Sequence, residues 1–193
     1  MARALHWASL RLNRRLQTRR GKALQSTTNT ISSKPPRPKG PLLVSVCFRP
    51  VWAYIDGVRE FGRFFCETTF KQPEVAERAR VVLQETLENA VKYSSPSDDS
   101  RLEIEISSDG AELQISTLSH ADPKHLQSLR EEIEMLRRFD PEAAFIAAFA
   151  RAAREPGAPA RLGLARMRFE TQFELSVSEE GEGNVRLTAV GKL

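Results

Sequence analysis

An acid and an amide lie four residues apart near the middle of the chain, at Glu85 and Asn89. On an α-helix this spacing places two side chains about 40° apart around the axis and one turn apart along it, so both point to the same side. An Asn oxygen can coordinate Mg²⁺, and a Glu carboxylate can accept a proton from an attacking hydroxyl. The pair therefore has two interpretations: chemistry at a nucleotide, or two solvated polar residues beside an apolar stripe.

The segment that carries this pair has the clearest helical pattern in the sequence. It begins at Pro73, a residue suited to a first helical turn, and ends at the turn-forming run SSPSDDS. Its apolar residues recur near a 3.6-residue period: Val75, Ala79, Val82, Leu83, Leu87 and Ala90. Glu85 and Asn89 lie at the margin of this stripe, where a side chain can face a cleft while its helix stays docked.

The surrounding segments predict a two-layer α/β sandwich. Alternating residues around Asp109-Gly110 and around the GEGN turn predict two hairpins, and the apolar run 41–48 predicts a further strand. Helical spacing is found in four more segments: 51–70, two that meet at Asp140 and Pro141, and 162–170. We expect helices packed on one face of a mixed, mostly antiparallel sheet.

Basic residues are concentrated at the N-terminal end. Residues 1–41 hold ten Lys or Arg and no acid, so residues 42–193 hold 19 basic against all 25 acidic residues, a net charge of −6. The net charge of +4 of the whole chain therefore comes from the arm. We expect a disordered basic arm with a Pro-rich end over 1–41, and over 42–193 one domain that does not bind nucleic acid.

The composition of the arm leaves several interpretations open. An Arg-rich, acid-free N-terminus fits an organellar transit peptide, and it can also bind anionic lipid or nucleic acid. The plainest interpretation is a disordered extension, or a start codon placed too far upstream. Deleting residues 1–40 separates these readings, because an arm that is dispensable leaves partner binding and solubility intact.

Composition also indicates where the protein works. No run reaches the roughly 18 apolar residues of a membrane span, so we expect a soluble, cytoplasmic protein. Cys47 and Cys66 lie in apolar contexts without metal-ligand spacing. We expect both to be buried and reduced.

The string LQETLENAVKYS around the Glu–Asn pair resembles the N-box of the GHKL superfamily, the histidine-kinase-like ATPases. The resemblance implies a Bergerat-type ATP-binding fold with ATP and Mg²⁺ as cofactors. It further implies that Asn89 takes the Mg²⁺ position, that Glu85 takes the general-base position of the serine-kinase branch, and that Lys92 lies near the phosphates.

A second string, RLGLARM, resembles the C-terminal half of the family's Gly-rich box, which closes over the phosphates. Gly163 matches the last glycine of that box, and such glycines let backbone N–H groups approach phosphate at a helix N-terminus. Pro159 and Arg161 stand where the first two glycines would be. Arg161 has two interpretations, a direct phosphate contact or a surface arginine.

The adenine-binding part of the family pattern is missing. The family places an Asp and spaced glycines after the first hairpin, whereas this chain reads STLSHADPKHL there. His120 is a weak candidate for the site, with a turn residue as the alternative. We expect His125 on a helix surface and Asp122 as a helix N-cap.

The long two-helix insert before RLGLARM resembles one branch, the SiaB-like family of proposed bacterial protein kinases. This resemblance covers about 44–192 and implies a kinase that phosphorylates Ser or Thr on a small partner of the anti-sigma-antagonist kind, in a partner-switching circuit. No phosphoacceptor histidine helix is evident. The alternative is an inactive partner-binding module on the same fold, which the missing glycines favour. A homodimer is left open.

Overall fold

The computed structural model describes residues 40–94, 100–154, 162–181 and 183–193. Most of the predicted domain 42–193 lies within these ranges. The predicted arm 1–41 lies outside them apart from its last two residues. Both boundaries remain predictions.

Five strands form one sheet with the order β1-β2-β3-β5-β4. They are β1 (Leu42–Phe48), β2 (Leu102–Ser108), β3 (Glu112–His120), β4 (Glu174–Glu179) and β5 (Asn184–Lys192). All four pairings between these described strands are antiparallel, so the sheet is antiparallel where a mixed sheet was expected. Both predicted hairpins are confirmed.

In the described ranges five helices form where helical spacing predicted them, two between β1 and β2 and three between β3 and β4. They are α1 (Trp52–Phe70), α2 (Pro73–Tyr93), α3 (Pro123–Arg137), α4 (Pro141–Arg154) and α5 (Leu162–Thr171). The insert divides at the predicted point, because Asp140 Oδ1 accepts hydrogen bonds from the N–H groups of Glu142 (3.0 Å) and Ala143 (3.4 Å). Asp122 caps α3 as predicted, accepting from Lys124 N–H at 2.7 Å.

The core lies between one face of the sheet and the helices. Strand residues that point inward alternate with outward polar residues, and they pack with the apolar stripe of α2. The buried centre includes Leu83, Leu87, Ile106, Leu113, Ile115, Met167 and Phe173. The predicted two-layer α/β sandwich is therefore confirmed.

The two cysteines lie in different environments. Cys66 of α1 is buried, and desolvation raises the pKa of its thiol to about 12. Cys47 is exposed because it points outward from β1, a strand at the edge of the sheet, so its predicted burial was wrong. Both thiols are free.

A buried arginine fixes the insert to the rest of the domain. Arg168 of α5 donates hydrogen bonds to the carbonyl oxygens of Leu136 and, at 2.8 Å, Phe139, which belong to the end of α3 and the turn before α4. It also lies 3.3 Å from a carboxylate oxygen of Glu174. The position of the α3–α4 turn therefore depends on α5.

None of the helices in the described ranges combines the length and apolar character needed to cross a membrane.

Two glycines of α1 offer a matched test of how closely α1 and α2 pack. A Cβ at Gly62 would overlap Leu83 Cδ1, whereas a Cβ at Gly57 would meet nothing within 4 Å. Gly62→Ala should lower the free energy of unfolding by about 1–3 kcal/mol, because the buried Leu83 must move. Gly57→Ala should raise it by roughly 0.5–1 kcal/mol through helix propensity. Urea denaturation measures both, and stabilisation by Gly62→Ala would contradict this packing.

Candidate functional site

A cavity of about 360 Å³ opens between α2, α3, α5 and the inner face of β3 and β5. Its volume lies in the range of small-molecule sites, which is roughly 300–1,000 Å³. The polar side chains that line it are Thr86, Asn89, Thr117, Ser119, Lys124, His125, Ser128 and Glu132. Its apolar lining comes from Ala90, Leu126, Leu129, Leu164, Val185 and Leu187. Such an apolar pocket with a few convergent polar groups is typical of a ligand site.

Asn89 lines this cavity with part of its side-chain amide unsatisfied. Its amide nitrogen is buried and has no hydrogen-bond partner among the residues that the structure describes. The nearby hydroxyl of Thr86, in contrast, is satisfied, because its Oγ1 donates a hydrogen bond to the carbonyl oxygen of Val82 at 2.9 Å. An unmet buried polar group costs about 1–3 kcal/mol, so Asn89 indicates a polar ligand in the cavity.

Glu85 lies one turn before Asn89 on α2 and faces the start of α5. A Cβ at Gly163 would overlap Glu85 Oε2, so only a glycine at this position allows α5 to approach so closely. Gly163 also lines the cavity. The structure therefore brings together three of the predicted site residues, Glu85, Asn89 and Gly163.

The electrostatic surroundings of Glu85 combine burial with a nearby cation. Desolvation raises the pKa of this carboxyl most strongly, and Arg166 opposes the rise from 3.5 Å away, while the negative charges of Glu88 and Glu170 add to it. The net pKa of Glu85 is raised. A carboxyl with a raised pKa is suited to exchange protons nearer to neutral pH than an exposed one.

Two other predicted site residues are not part of this group. Lys92 is exposed and does not line the cavity; its Nζ lies 5.2 Å from the ring centroid of Tyr93. Arg161 lies outside the described residues, as does Pro159. The predicted phosphate contacts of Lys92 and Arg161 therefore remain predictions.

The two histidines of interest take different positions. His120, the weak site candidate, packs against the β4–β5 turn, where a Cβ at Gly183 would lie 2.7 Å from its Cε1. It does not line the cavity. His125 is exposed as predicted, but it also lines the cavity, with its ring centroid 4.8 Å from that of Tyr93.

Three residues near the site were missed by the sequence analysis: Arg166, Tyr93 and Glu132. Arg166 lies three residues after Gly163, so it faces the same side of α5, a signal that sequence spacing could have supplied. Glu132 is buried in the cavity wall although it stands in the charged run REEIEM. Only the packing of α3 over the sheet shows that this acid faces inward.

The residues present fit a particular kind of metal site. Within the described ranges no three His, Cys, Asp or Glu side chains converge as a metal cluster. Mg²⁺ seldom needs such a cluster, because it commonly binds through one or two protein oxygens together with substrate phosphates and water. The unsatisfied atom of Asn89 is its amide nitrogen, which can donate to a phosphate oxygen, while the oxygen of the same amide is the atom that could ligate Mg²⁺.

Comparison with known proteins finds similarity at the level of fold. Neither the family models nor the curated proteins match the sequence. Among solved structures, the chain is similar to a chain of the SiaB–SiaC complex from Pseudomonas aeruginosa, with a TM-score of 0.60 and 17% sequence identity. The match covers 79% of this chain and 91% of that chain. At this identity the likeness concerns the fold alone.

Proposed function

We propose that the domain binds ATP with Mg²⁺ and transfers a phosphoryl group to a Ser or Thr hydroxyl of a small regulatory protein in a partner-switching circuit. The observation that carries the proposal is the buried, unsatisfied amide of Asn89 in the cavity wall, one helical turn from the buried carboxyl of Glu85. The N-box resemblance around these residues supports it.

Asn89 would hold the nucleotide through its side-chain oxygen, acting as a ligand to Mg²⁺. Bound Mg²⁺ would neutralise negative charge on the transferring phosphoryl group. Leu126, Leu129 and Leu187 form apolar walls of the cavity. These walls would exclude water from the adenine ring, which would pack against their aliphatic side chains.

Glu85 acts as the general base for the partner hydroxyl. Its raised pKa makes it a stronger proton acceptor than an exposed carboxylate, while Arg166 keeps enough of it ionised to act. Gly163, at the second residue of α5, brings the first turn of that helix close to this carboxyl. Free N–H groups at a helix N-terminus favour anions such as phosphate.

The proposed protein partner is supported by the solved complex. The similar chain belongs to an assembly of SiaB with SiaC, so a protein of this fold occurs in a complex with a second protein. The insert resemblance points to the same branch. The partner proposed for this chain is a small protein of the anti-sigma-antagonist kind.

An inactive partner-binding module is the second candidate function. Pro159 and Arg161 at the glycine positions favour it, since they weaken the phosphate cradle that the family uses. The ion pair between Glu85 and Arg166 also favours it, because a base engaged with a cation is less free to accept a proton. Whether the chain turns over ATP separates the kinase from the inactive module.

Asn89→Ala tests the nucleotide site. Calorimetric titration of the full chain with ATP and Mg²⁺ should show binding that weakens at least tenfold in the variant, or about 1.4 kcal/mol. Glu88→Ala, at the next residue of α2 but outside the cavity lining, is the matched control and should bind ATP like the wild type. Equal affinity in all three chains, or none in the folded wild type, would rule out this site.

Glu85→Gln separates the kinase from the inactive module. Hydrolysis of ATP, with water in place of the partner hydroxyl, should fall by roughly 10²–10⁴-fold, because the variant keeps the shape but loses the base. The affinity for ATP should stay within a few-fold of the wild type. A wild-type chain that binds ATP but hydrolyses none, or a variant with unchanged hydrolysis, would favour the inactive module.

The same variant makes a stability prediction that depends on pH. The folded state holds the Glu85 proton more tightly than the unfolded chain, so the free energy of unfolding falls as pH rises from the ordinary carboxyl pKa through the raised one. Glu85→Gln should therefore be more stable than the wild type at pH 7, and the difference should shrink below about pH 4. Urea denaturation at both pH values checks this, with the exposed Glu77→Gln as control.

A further inference from the structure

Arg166 lies among three carboxylates where α5 meets α2. Its Nε–H donates a hydrogen bond to Glu170, one turn later on α5, at 2.9 Å, and its Nη1 lies 3.5 Å from Glu85 on α2. The charge of Glu88, also on α2, acts on the same guanidinium. One cation therefore faces three acids, so the phosphates of a nucleotide would be repelled here unless a positive charge turned toward them.

The guanidinium of Arg166 keeps most of its hydrogen-bonding capacity for another acceptor. An arginine carries its N–H donors in a planar fork, and within the described ranges the Nε–H is the donor that a side chain accepts. The contact with Glu85, at 3.5 Å, is an ion pair that is longer than a normal hydrogen bond. The N–H groups at the outer end of the fork can therefore bind an incoming anion.

Arg166 is also placed to change partners. Its side chain is 47% exposed and that of Glu85 is 11% exposed, so the ion pair opens to solvent on the arginine side. An exposed ion pair between residues one turn apart, such as Arg166 with Glu170, holds its side chains weakly. Arg168 is the contrast, because its guanidinium is buried and donates to backbone carbonyl groups around the end of α3.

The role proposed for Glu85 determines where the terminal phosphate of a nucleotide would lie. A general base acts within about 2.6–3.2 Å of the hydroxyl that it deprotonates, and that hydroxyl attacks phosphorus from roughly 3–3.5 Å. The terminal phosphate would therefore lie within about 6–7 Å of the Glu85 carboxylate. Because Arg166 already reaches this carboxylate, rotation of its side chain would bring the fork onto the phosphate.

We propose that Arg166 exchanges Glu85 for the terminal phosphate when a nucleotide binds, and that this exchange frees Glu85 to act as the base. The inference rests on the proposed function and names a further residue of the same site. A terminal phosphate carries more negative charge than a carboxylate and accepts parallel N–H bonds from a guanidinium fork. It therefore competes successfully with the long ion pair to Glu85.

The exchange accounts for two features that weigh against catalysis. The ion pair with Arg166 limits the use of Glu85 as a base until the cation moves. The Gly-rich box has Pro159 and Arg161 where two glycines stand in the family, and Lys92 lies outside the cavity lining. An arginine on the following helix supplies the positive charge that these positions do not provide at the phosphate.

Paired affinities for two nucleotides test the phosphate contact. In calorimetric titrations of the full chain with Mg²⁺, Arg166→Gln should weaken binding of the non-hydrolysable ATP analogue AMP-PNP by roughly tenfold or more. Binding of ADP should weaken by less than about twofold, because ADP lacks the terminal phosphate. Arg166→Lys, which keeps a cation beside Glu85 but lacks the fork, should show the same pattern to a smaller extent. Arg80→Gln is the matched control and should change neither affinity, since Arg80 is an exposed arginine paired with Glu77 within α2.

The outcomes separate this inference from the proposed function. A folded wild type that binds neither nucleotide overturns both. A wild type that binds both nucleotides, with equal losses or no loss in Arg166→Gln, overturns the role of Arg166 alone. Urea denaturation checks that each variant is folded, and Arg166→Lys carries the test if loss of the charge beside the buried Glu85 unfolds the chain.

NMR of a chain labelled with ¹⁵N-arginine tests the exchange itself. The guanidinium signals of Arg166, assigned by their loss in Arg166→Lys, should shift when Glu85→Gln is introduced without nucleotide, because the two side chains are then in contact. With AMP-PNP bound, the same substitution should leave these signals unchanged, since the arginine then contacts the phosphate. Signals that still respond to Glu85→Gln in the bound state would overturn the exchange.

Discussion

The close approach of α5 to α2 is the contact on which the rest of the site depends. At this contact only a hydrogen atom of Gly163 separates the α5 backbone from the Glu85 carboxylate. Burial of an ionised carboxylate without compensation costs several kcal/mol, so a cation is needed nearby. Arg166, from the next turn of α5, supplies it. One glycine and one arginine on the same helix thus make the buried acid tolerable.

The position of α5 in turn determines the position of the insert. The ring of Phe169 stacks on Phe145 of α4, with centroids 5.1 Å apart and an interplanar angle of 3°. Arg168 satisfies the carbonyl groups at the end of α3. Because α3 forms a wall of the cavity, a shift of α5 would change the cavity as well as the surroundings of Glu85. The cavity and the acid therefore behave as one structural unit.

The sequence predicted the elements well because each has a strong local signal. Pro73, Asp122 and Asp140 fixed the starts of three helices, and Gly110, with φ at 89°, fixed the first hairpin turn. The burial of Cys47 was predicted wrongly because an apolar strand reads the same at the centre and at the edge of a sheet. The sheet was expected to be mostly antiparallel, and all its described pairings are antiparallel; alternation alone does not record which neighbour a strand pairs with outside the hairpins.

The site was predictable in part for the same physical reason. Glu85 and Asn89 are linked by helical spacing, so the sequence alone could place them on one side of α2. Contacts between Glu85 and Arg166, or between α3 and the cavity, join segments that are dozens of residues apart. No local pattern encodes such distances. The family resemblance identified Gly163 because the family's Gly-rich box has a glycine at this position, where the two segments meet.

Helix α2 also separates the packing of α1 from the candidate site. Leu83 packs against Gly62 of α1, whereas Glu85, two residues later, faces α5. Two residues correspond to about 200° around a helix, so these neighbours lie on nearly opposite sides of α2. Helix α1 therefore lies on the side of α2 away from the start of α5.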